Sequence, residues 1–399
     1  MLRIGLLTSG GDCQALNATM RGVVKGLANN VKDLEVYGFM NGYKGLIYSD
    51  YRMLSAKDFS GILTQGGTIL GTSRQPFKLM RTPDANGLDK VEAMKHTYHK
   101  LLLDCLVILG GNGTQKTANL LREEGLNIIH LPKTIDNDLP VTDHTPGYGS
   151  AARYVASTVR EIVLDASVYQ QPAVTIVELM GRHAGWVTAA SSLARKFPGD
   201  NPLLIYMPEA PFEMEEFFSD LENALKQSTA VVVCVSEGIR DASGKFICEY
   251  SNEAQLDTFG HKMLTGCGKL LESYVRNRFG VKVRSVELNV NQRCSSLLSS
   301  LTDINEADLA GRTAVKCALE GVTGKMITFK RADGEEYSLE YGLVDVCDVC
   351  NKEKPFPTEW ITGNNNDISP EFANYALPLM RGVPEHVFED GVPKYLYRK

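Results

Sequence analysis

Lys133, Thr134, Asp136 and Asp138 put a lysine, a hydroxyl and two carboxylates within six residues, in the run Lys-Thr-Ile-Asp-Asn-Asp. The apolar run before them, residues 127–130, predicts a buried strand that Pro132 closes. Ligands of open parallel sheets bind beyond the carboxyl ends of the strands, so this spacing puts the polar groups where chemistry is done. One carboxylate can take a proton from a hydroxyl while the other helps hold a cation. The lysine can neutralise a phosphoryl group. A solvated turn in which Asp and Asn cap a helix draws on the same residues. The neighbouring stretches decide between the two.

Three of those stretches are glycine turns at the ends of apolar runs. Residues 3–8 predict a strand, followed by Ser9-Gly10-Gly11-Asp12 and a helix beginning near Ala15. Residues 65–74 form a second glycine-rich loop that ends in Arg74, a cation suited to a phosphate oxygen. Residues 105–109 predict a strand running into Gly110-Gly111-Asn112-Gly113-Thr114, with a helix over 115–124 that Thr114 would cap. Exposed backbone N–H groups at such strand-to-helix turns receive phosphates. Neither the Walker A ending nor the dinucleotide fingerprint is present. Repetition of the device at three strand ends favours a phosphate-handling site.

The elements that must position these groups alternate between strand and helix. A glycine turn at 145–150 opens a helix that continues through 153–168. Strands are predicted at 173–180, 203–207, 230–235 and 281–290, with an amphipathic helix over 212–227. A strand-to-helix turn at 181–186 carries His183, whose position fits a structural role better than a catalytic one. Residues 240–270 are expected to be polar and helical, and 305–320 an alanine-rich helix. Residues 351–366, rich in Pro, Asn and Gly, are expected to run over the surface, and the tail 367–399 to hold one short helix. This order predicts an α/β fold with mainly parallel sheets.

Composition narrows the function. At 399 residues the chain suffices for two domains or one large α/β unit. The net charge of −6 argues against a nucleic-acid or membrane-surface protein. No apolar run reaches membrane-spanning length and no leader precedes the first strand, which predicts a cytoplasmic protein. The nine scattered cysteines fit reduced thiols, and the lone C-x-x-C at Cys347 and Cys350 lacks the second pair of a zinc site.

The chain resembles the phosphofructokinase family that uses ATP or pyrophosphate, and within it the branch of roughly 400 residues. The resemblance rests on Leu-Thr-Ser-Gly-Gly-Asp at 7–12, Gly-Gly-Thr-Ile-Leu-Gly-Thr-Ser-Arg at 66–74 and Gly-Gly-Asn-Gly-Thr at 110–114. It continues through Pro-Lys-Thr-Ile-Asp-Asn-Asp at 132–138, Val-Glu-Leu-Met-Gly-Arg at 177–182, Ser-Glu-Gly at 236–238 and Gln-Arg at 292–293. It implies two Rossmann-like three-layer domains. Residues 1–139, completed by about 291–350, would bind the donor, 140–290 would bind fructose 6-phosphate, and 351–399 would be a C-terminal extension. Asp136 would deprotonate the sugar 1-hydroxyl, with Arg74 and Lys133 beside the transferring group. Thr134, Met180, Gly181, Arg182, Glu237, Arg284 and Arg293 would bind the sugar phosphate together with Asp136. Gly10, Arg74, Gly111, Asn112, Gly113 and Thr114 would hold the donor, and Asp138 with Asn112 would hold Mg2+. Arg284 would reach across a subunit interface, implying a homodimer or homotetramer.

Three positions depart from the family pattern. Asn112 stands where an aspartate usually supports magnesium, Val290 replaces a histidine or tyrosine that contacts the sugar, and Ala173 replaces a second cross-subunit arginine. Lys282, Asn289 and Asn291 lie close enough in sequence to compensate. The donor signature is mixed. Pyrophosphate users pair a lysine at the place of Lys133 with an aspartate at the place of Gly113, whose charge would exclude the α-phosphate of ATP. Gly113 leaves that space open, so ATP is the expected donor and pyrophosphate the alternative. A catalytically weak sensor of the same fold is the third reading, against which the retention of Asp136, Asp138, Arg74 and Arg182 speaks.

Overall fold

The computed structural model describes residues 1–73, 75–250, 266–334 and 336–395. Apolar runs bounded by glycine and proline turns build two parallel-centred sheets. The strands in chain order are β1 (Leu2–Thr8), β2 (Leu34–Phe39), β3 (Tyr51–Leu54), β4 (Cys105–Gly110), β5 (Ile128–Pro132), β6 (Ala173–Leu179), β7 (Leu204–Tyr206), β8 (Ala230–Ser236), β9 (Lys282–Glu287), β10 (Lys325–Arg331) and β11 (Leu339–Asp345). The first sheet runs β11-β10-β5-β4-β1-β2-β3, and the second β7-β8-β6-β9. Its central members β1, β4 and β5 are almost wholly apolar and buried on both faces, as parallel strands covered by helices must be. Only the margins of the first sheet, β2–β3 and β10–β11, pair antiparallel. The second sheet is parallel throughout. The fold is α/β, as the alternation of elements predicts.

Helices join the two sheets into one core. The helix Tyr148–Ala166 contributes Tyr148, Ala151, Val155 and Val159 to a buried cluster that also holds Leu6 and Leu109 of the first sheet and Val177 and Val232 of the second. Two long helices, Leu16–Asn30 and Leu301–Leu319, cross where glycines face each other's backbone. A Cβ on Gly22 would collide with the Asp308 carbonyl oxygen, and one on Gly311 with the Thr19 carbonyl oxygen. Among the described residues no helix is long and apolar enough to cross a membrane.

One expectation is corrected and two features are added. The segment 351–366 runs mostly over the surface, as expected, but is anchored by Phe356, which is fully buried and packs edge-on against Trp186, ring centroids 5.1 Å apart. The polarity of its neighbours masks that anchor. Residues 240–246 are not helical, because the Asp241 side chain accepts the backbone N–H groups of Ser243 and Lys245 and folds the chain into a turn. Residues 251–265 of that expected helix lie outside the described residues, and a helix resumes at Cys267–Phe279. Sequence patterning also leaves the β10–β11 hairpin unmarked. β11 is a part-exposed edge strand whose Glu and Asp interrupt any apolar run.

The helix crossing predicts that Gly22→Ala and Gly311→Ala each destabilise the protein by about 1–3 kcal/mol, since backbone rather than a flexible side chain must give way. Urea denaturation midpoints check this. A Cβ on Gly26 would lie 3.2 Å from Val315 Cγ2 and no nearer than 3.6 Å to Arg312, so Gly26→Ala is expected to cost less.

Candidate active site

The carboxyl ends of β1, β4 and β5 deliver the glycine turns and the Lys133–Asp138 loop. After β1 the chain turns through Gly10, at φ +86°, a conformation that favours glycine. The Thr72 hydroxyl donates to the Gly10 carbonyl at 2.7 Å, tying the second glycine loop to the first. After β4 the helix begins at Asn112 and runs to Glu123, three residues earlier than the sequence suggests. Gly111 occupies the N-cap position, and Thr114 sits in the first turn with its N–H bonded to the Gly111 carbonyl at 3.0 Å. Thr114 is therefore no cap. Glycine is tolerated at a cap without a side-chain bond, so the run of glycines does not delay the helix. The N–H groups of Asn112 and Gly113 precede the first intrahelical bond and mark an anion site at the positive end of the helix dipole. A Cβ on Gly113 would touch nothing within 4 Å, so the space before it is open.

The loop after β5 is fixed at every residue. Lys133 is buried, donates its Nζ to the Gly11 carbonyl, and takes its own N–H to the Gly110 carbonyl at 3.1 Å. Burial pulls its pKa down, against the nearby carboxylates of Asp12 and Asp136. The Thr145 hydroxyl donates to the Thr134 carbonyl at 2.7 Å. The Thr134 hydroxyl accepts the Asp136 N–H at 3.1 Å and lies 3.3 Å from Asp136 Oδ2. Asn137 adopts a left-handed conformation at φ 54° and donates to the Tyr375 hydroxyl at 2.8 Å. That turn faces Asp136 and Asp138 into the cleft. Burial raises the Asp136 pKa, while Thr134, Lys133, His183 and Arg293 oppose the rise. Asp138 is pushed up to about 7 by burial, then by the charges of Asp136 and Glu353.

The ends of β6 and β8 supply the opposite wall. Gly181, at φ +137°, approaches the Ala184 carbonyl so closely that a Cβ there would lie 2.6 Å from its oxygen. Its N–H donates to Glu237 Oε1 at 3.3 Å, and the Ser236 hydroxyl donates to its carbonyl at 2.7 Å. Burial pushes Glu237 up to about 7, with Asp136 and Glu178 adding to the rise. Gln292 bridges the two walls: its carbonyl accepts from Gln14 Nε2 at 2.9 Å and its Oε1 from the Met180 N–H at 3.1 Å. Arg293 follows directly, and its guanidinium lies beside Gly11, within 3.7 Å of where a Cβ would stand. Arg182 acts electrostatically on both Glu237 and His183. His183 Nδ1 pairs with Arg240 Nη2 at 3.0 Å.

These groups form one cleft, with two exceptions. Arg284 sits on the edge strand β9, paired with Asp165 at 3.0 Å and placed beside Lys282 around Tyr169. Arg74 lies outside the described residues. Of the departures, Val290 is 46% exposed, and Ala173 lines a shallow pocket with Tyr169, Lys282 and Arg284. Sequence reasoning missed Asp12, Lys354 and Glu353. Lys354 is buried by the cleft, donating Nζ to the carbonyls of Asp143 at 2.8 Å and Thr142 at 3.1 Å. A charged pair set just before the buried Phe356 was the available signal.

Among the described residues no three His, Cys, Asp or Glu side chains gather to hold an ion by themselves. Among the buried side-chain oxygens of the described residues that lack a partner are nonetheless Asp138 Oδ1 and Asn112 Oδ1. Hard oxygen ligands, one or two from protein and the rest from phosphates and water, are what Mg2+ takes. The residues present fit that ion.

The sequence profile of the phosphofructokinase family matches residues 3–295. The chain is 34% identical over 399 residues to a pyrophosphate–fructose 6-phosphate 1-phosphotransferase of Rhodospirillum rubrum, covering 96% of this chain and 95% of the relative. It is 37% identical over 363 residues to an ATP-dependent 6-phosphofructokinase of Spirochaeta thermophila, covering 89% and 93%. Among solved structures, a pyrophosphate-dependent phosphofructokinase from Marinobacter aquaeolei superposes with a TM-score of 0.86 at 27% identity, covering 99% of this chain and 95% of that one.

Glu237 gives a test of the electrostatics. Its folded pKa lies above the ordinary carboxylate value, so the folded chain keeps a proton that the unfolded chain releases, and stability falls as pH rises from about 4.5 towards 7. Glu237→Gln removes that penalty while retaining an acceptor for the Gly181 N–H. It is expected to raise Tm by about 2–4 °C near pH 8 and to have little effect near pH 5, checked by thermal melts at the two pH values.

Proposed function

Since this chain belongs to the phosphofructokinase family, we propose that it transfers a phosphoryl group from ATP to the 1-hydroxyl of fructose 6-phosphate. Membership makes it a glycolytic phosphotransferase with an alcohol group as acceptor. The observation that carries the reading is the meeting of a glycine-cradled helix N-terminus with the Lys133–Asp138 loop. Phosphoryl transfer asks for positioning and charge neutralisation rather than covalent chemistry by the protein.

Asp136 takes the proton of the 1-hydroxyl. Its raised pKa suits a base working near neutrality, and Thr134 fixes its orientation. Lys133, buried beside Gly11, faces the transferring group, with Arg74 as a second cation. Gly10, Gly111, Gly113 and Thr114 line the donor cradle. Asp138 and Asn112 hold a magnesium ion, which supplies charge neutralisation on the donor phosphates. Met180, Gly181, Arg182, Glu237 and Arg293 bind the sugar phosphate. Arg284, with Lys282 beside it on β9, completes that site in a neighbouring subunit of a homodimer or homotetramer, where Lys282 offsets Ala173. Residues 1–139 with 291–350 constitute the donor domain and 140–290 the sugar domain of a cytoplasmic enzyme.

ATP is favoured because Gly113 opens onto free space where a carboxylate would repel the α-phosphate. Pyrophosphate is the second reading. It is supported by the buried Lys133 and by the likeness to the Rhodospirillum rubrum phosphotransferase over nearly the full length of both chains.

Asp136→Ser should lower kcat by about 10²–10⁴-fold while fructose 6-phosphate still binds, read by turnover and calorimetry. Comparable turnover would sink the assignment of the base. Gly113→Asp should raise the KM for ATP at least about tenfold.

A further inference from the structure

We propose that Glu353, carried by the C-terminal segment, supplies the second carboxylate facing the donor-bound magnesium, in place of the charge that Asn112 lacks. The inference rests on the phosphoryl-transfer reading of the cleft. Asn112 donates its amide N–H groups to the Lys352 carbonyl at 3.4 Å and to Glu353 Oε1 at 3.3 Å. Its Oδ1 is buried and without a partner, as is Asp138 Oδ1. An amide oxygen offers a dipole where a phosphate-bound cation calls for charge. Glu353 is a source within reach, since its carboxylate touches Asn112 and the next residue is fastened to Asp138. The Lys354 N–H donates to the Asp138 carbonyl at 2.7 Å.

The segment is held there firmly. The Lys354 carbonyl accepts Trp186 Nε1 at 3.2 Å, and the Phe356 N–H donates to Glu209 Oε1 at 2.9 Å. Glu353 itself stays exposed at the mouth of the cleft, open to a hydrated ion. Its charge is felt by both Asp138 and His183, which places it over the cleft rather than over bulk surface. Magnesium bound through one or two carboxylates and completed by donor phosphates matches this supply.

The test is Mn2+ binding to the full-length protein, read from the electron paramagnetic resonance signal of the free ion. Glu353→Gln keeps an acceptor for the Asn112 amide and removes only the charge. It should weaken Mn2+ binding about tenfold, within the range typical of groups that support a metal site. Asn112→Asp combined with Glu353→Gln returns the charge from the other side and should restore affinity to within about threefold of wild type. Unchanged affinity in Glu353→Gln would overturn the proposal. So would a double variant that binds no better than Glu353→Gln. Failure of the underlying reading shows separately, as wild-type protein that makes no fructose 1,6-bisphosphate from either donor.

Discussion

Everything in this site depends on holding carboxyl groups away from water, which draws their pKa values up towards neutrality. Asp136, Asp138 and Glu237 are each raised by burial, and Lys133 is lowered by it. Burying charge is costly unless partners compensate, and here the partners are hydroxyls, backbone N–H groups and distant cations. Thr134 orients Asp136, the Gly181 N–H meets Glu237, and the Gly11 carbonyl receives Lys133. What the scaffold leaves incomplete is a place for phosphate oxygens and a cation. Dipoles and charges fixed in advance of the reaction need no reorganisation when charge develops.

The fold makes that arrangement affordable by stiffness. Strand ends from two parallel sheets deliver the loops, and Gln292 bonds to both walls through its carbonyl and its side chain. Behind the loop, Asn137 is locked by Tyr375 and Lys354. Trp186, Phe356, Trp360 and Phe372 then stack the C-terminal segment onto the second sheet's first strand-to-helix turn. Residues 354–375, beyond the matched family region, therefore pack behind the Lys133–Asp138 loop.

Much of this was legible in the sequence. The apolar runs of β1, β4, β6 and β8 are buried on both faces, so their composition alone marks them, and each ends in a glycine or Ser-Glu-Gly turn that must serve something. The Lys133–Asp138 run stands out because polar residues follow a buried strand at once. What stayed hidden depended on tertiary context. The helix start at Asn112 was obscured by glycines that read as loop. The β10–β11 hairpin carries charge on its exposed edge. Glu353 and Lys354 gain meaning only when Phe356, well beyond the Leu301–Leu319 helix, docks against Trp186. Arg284, which the resemblance assigns to a neighbouring subunit's site, lies away from the other site residues on the β9 edge, paired with Asp165.

The most direct measurement gives the purified protein fructose 6-phosphate and Mg2+, with ATP in one reaction and pyrophosphate in another, and follows fructose 1,6-bisphosphate. Product with ATP and none, or far less, with pyrophosphate is the predicted result and identifies the space before Gly113 as the nucleotide gate. Product with pyrophosphate alone would contradict that gate and assign the choice of donor to Lys133 and its surrounding loops.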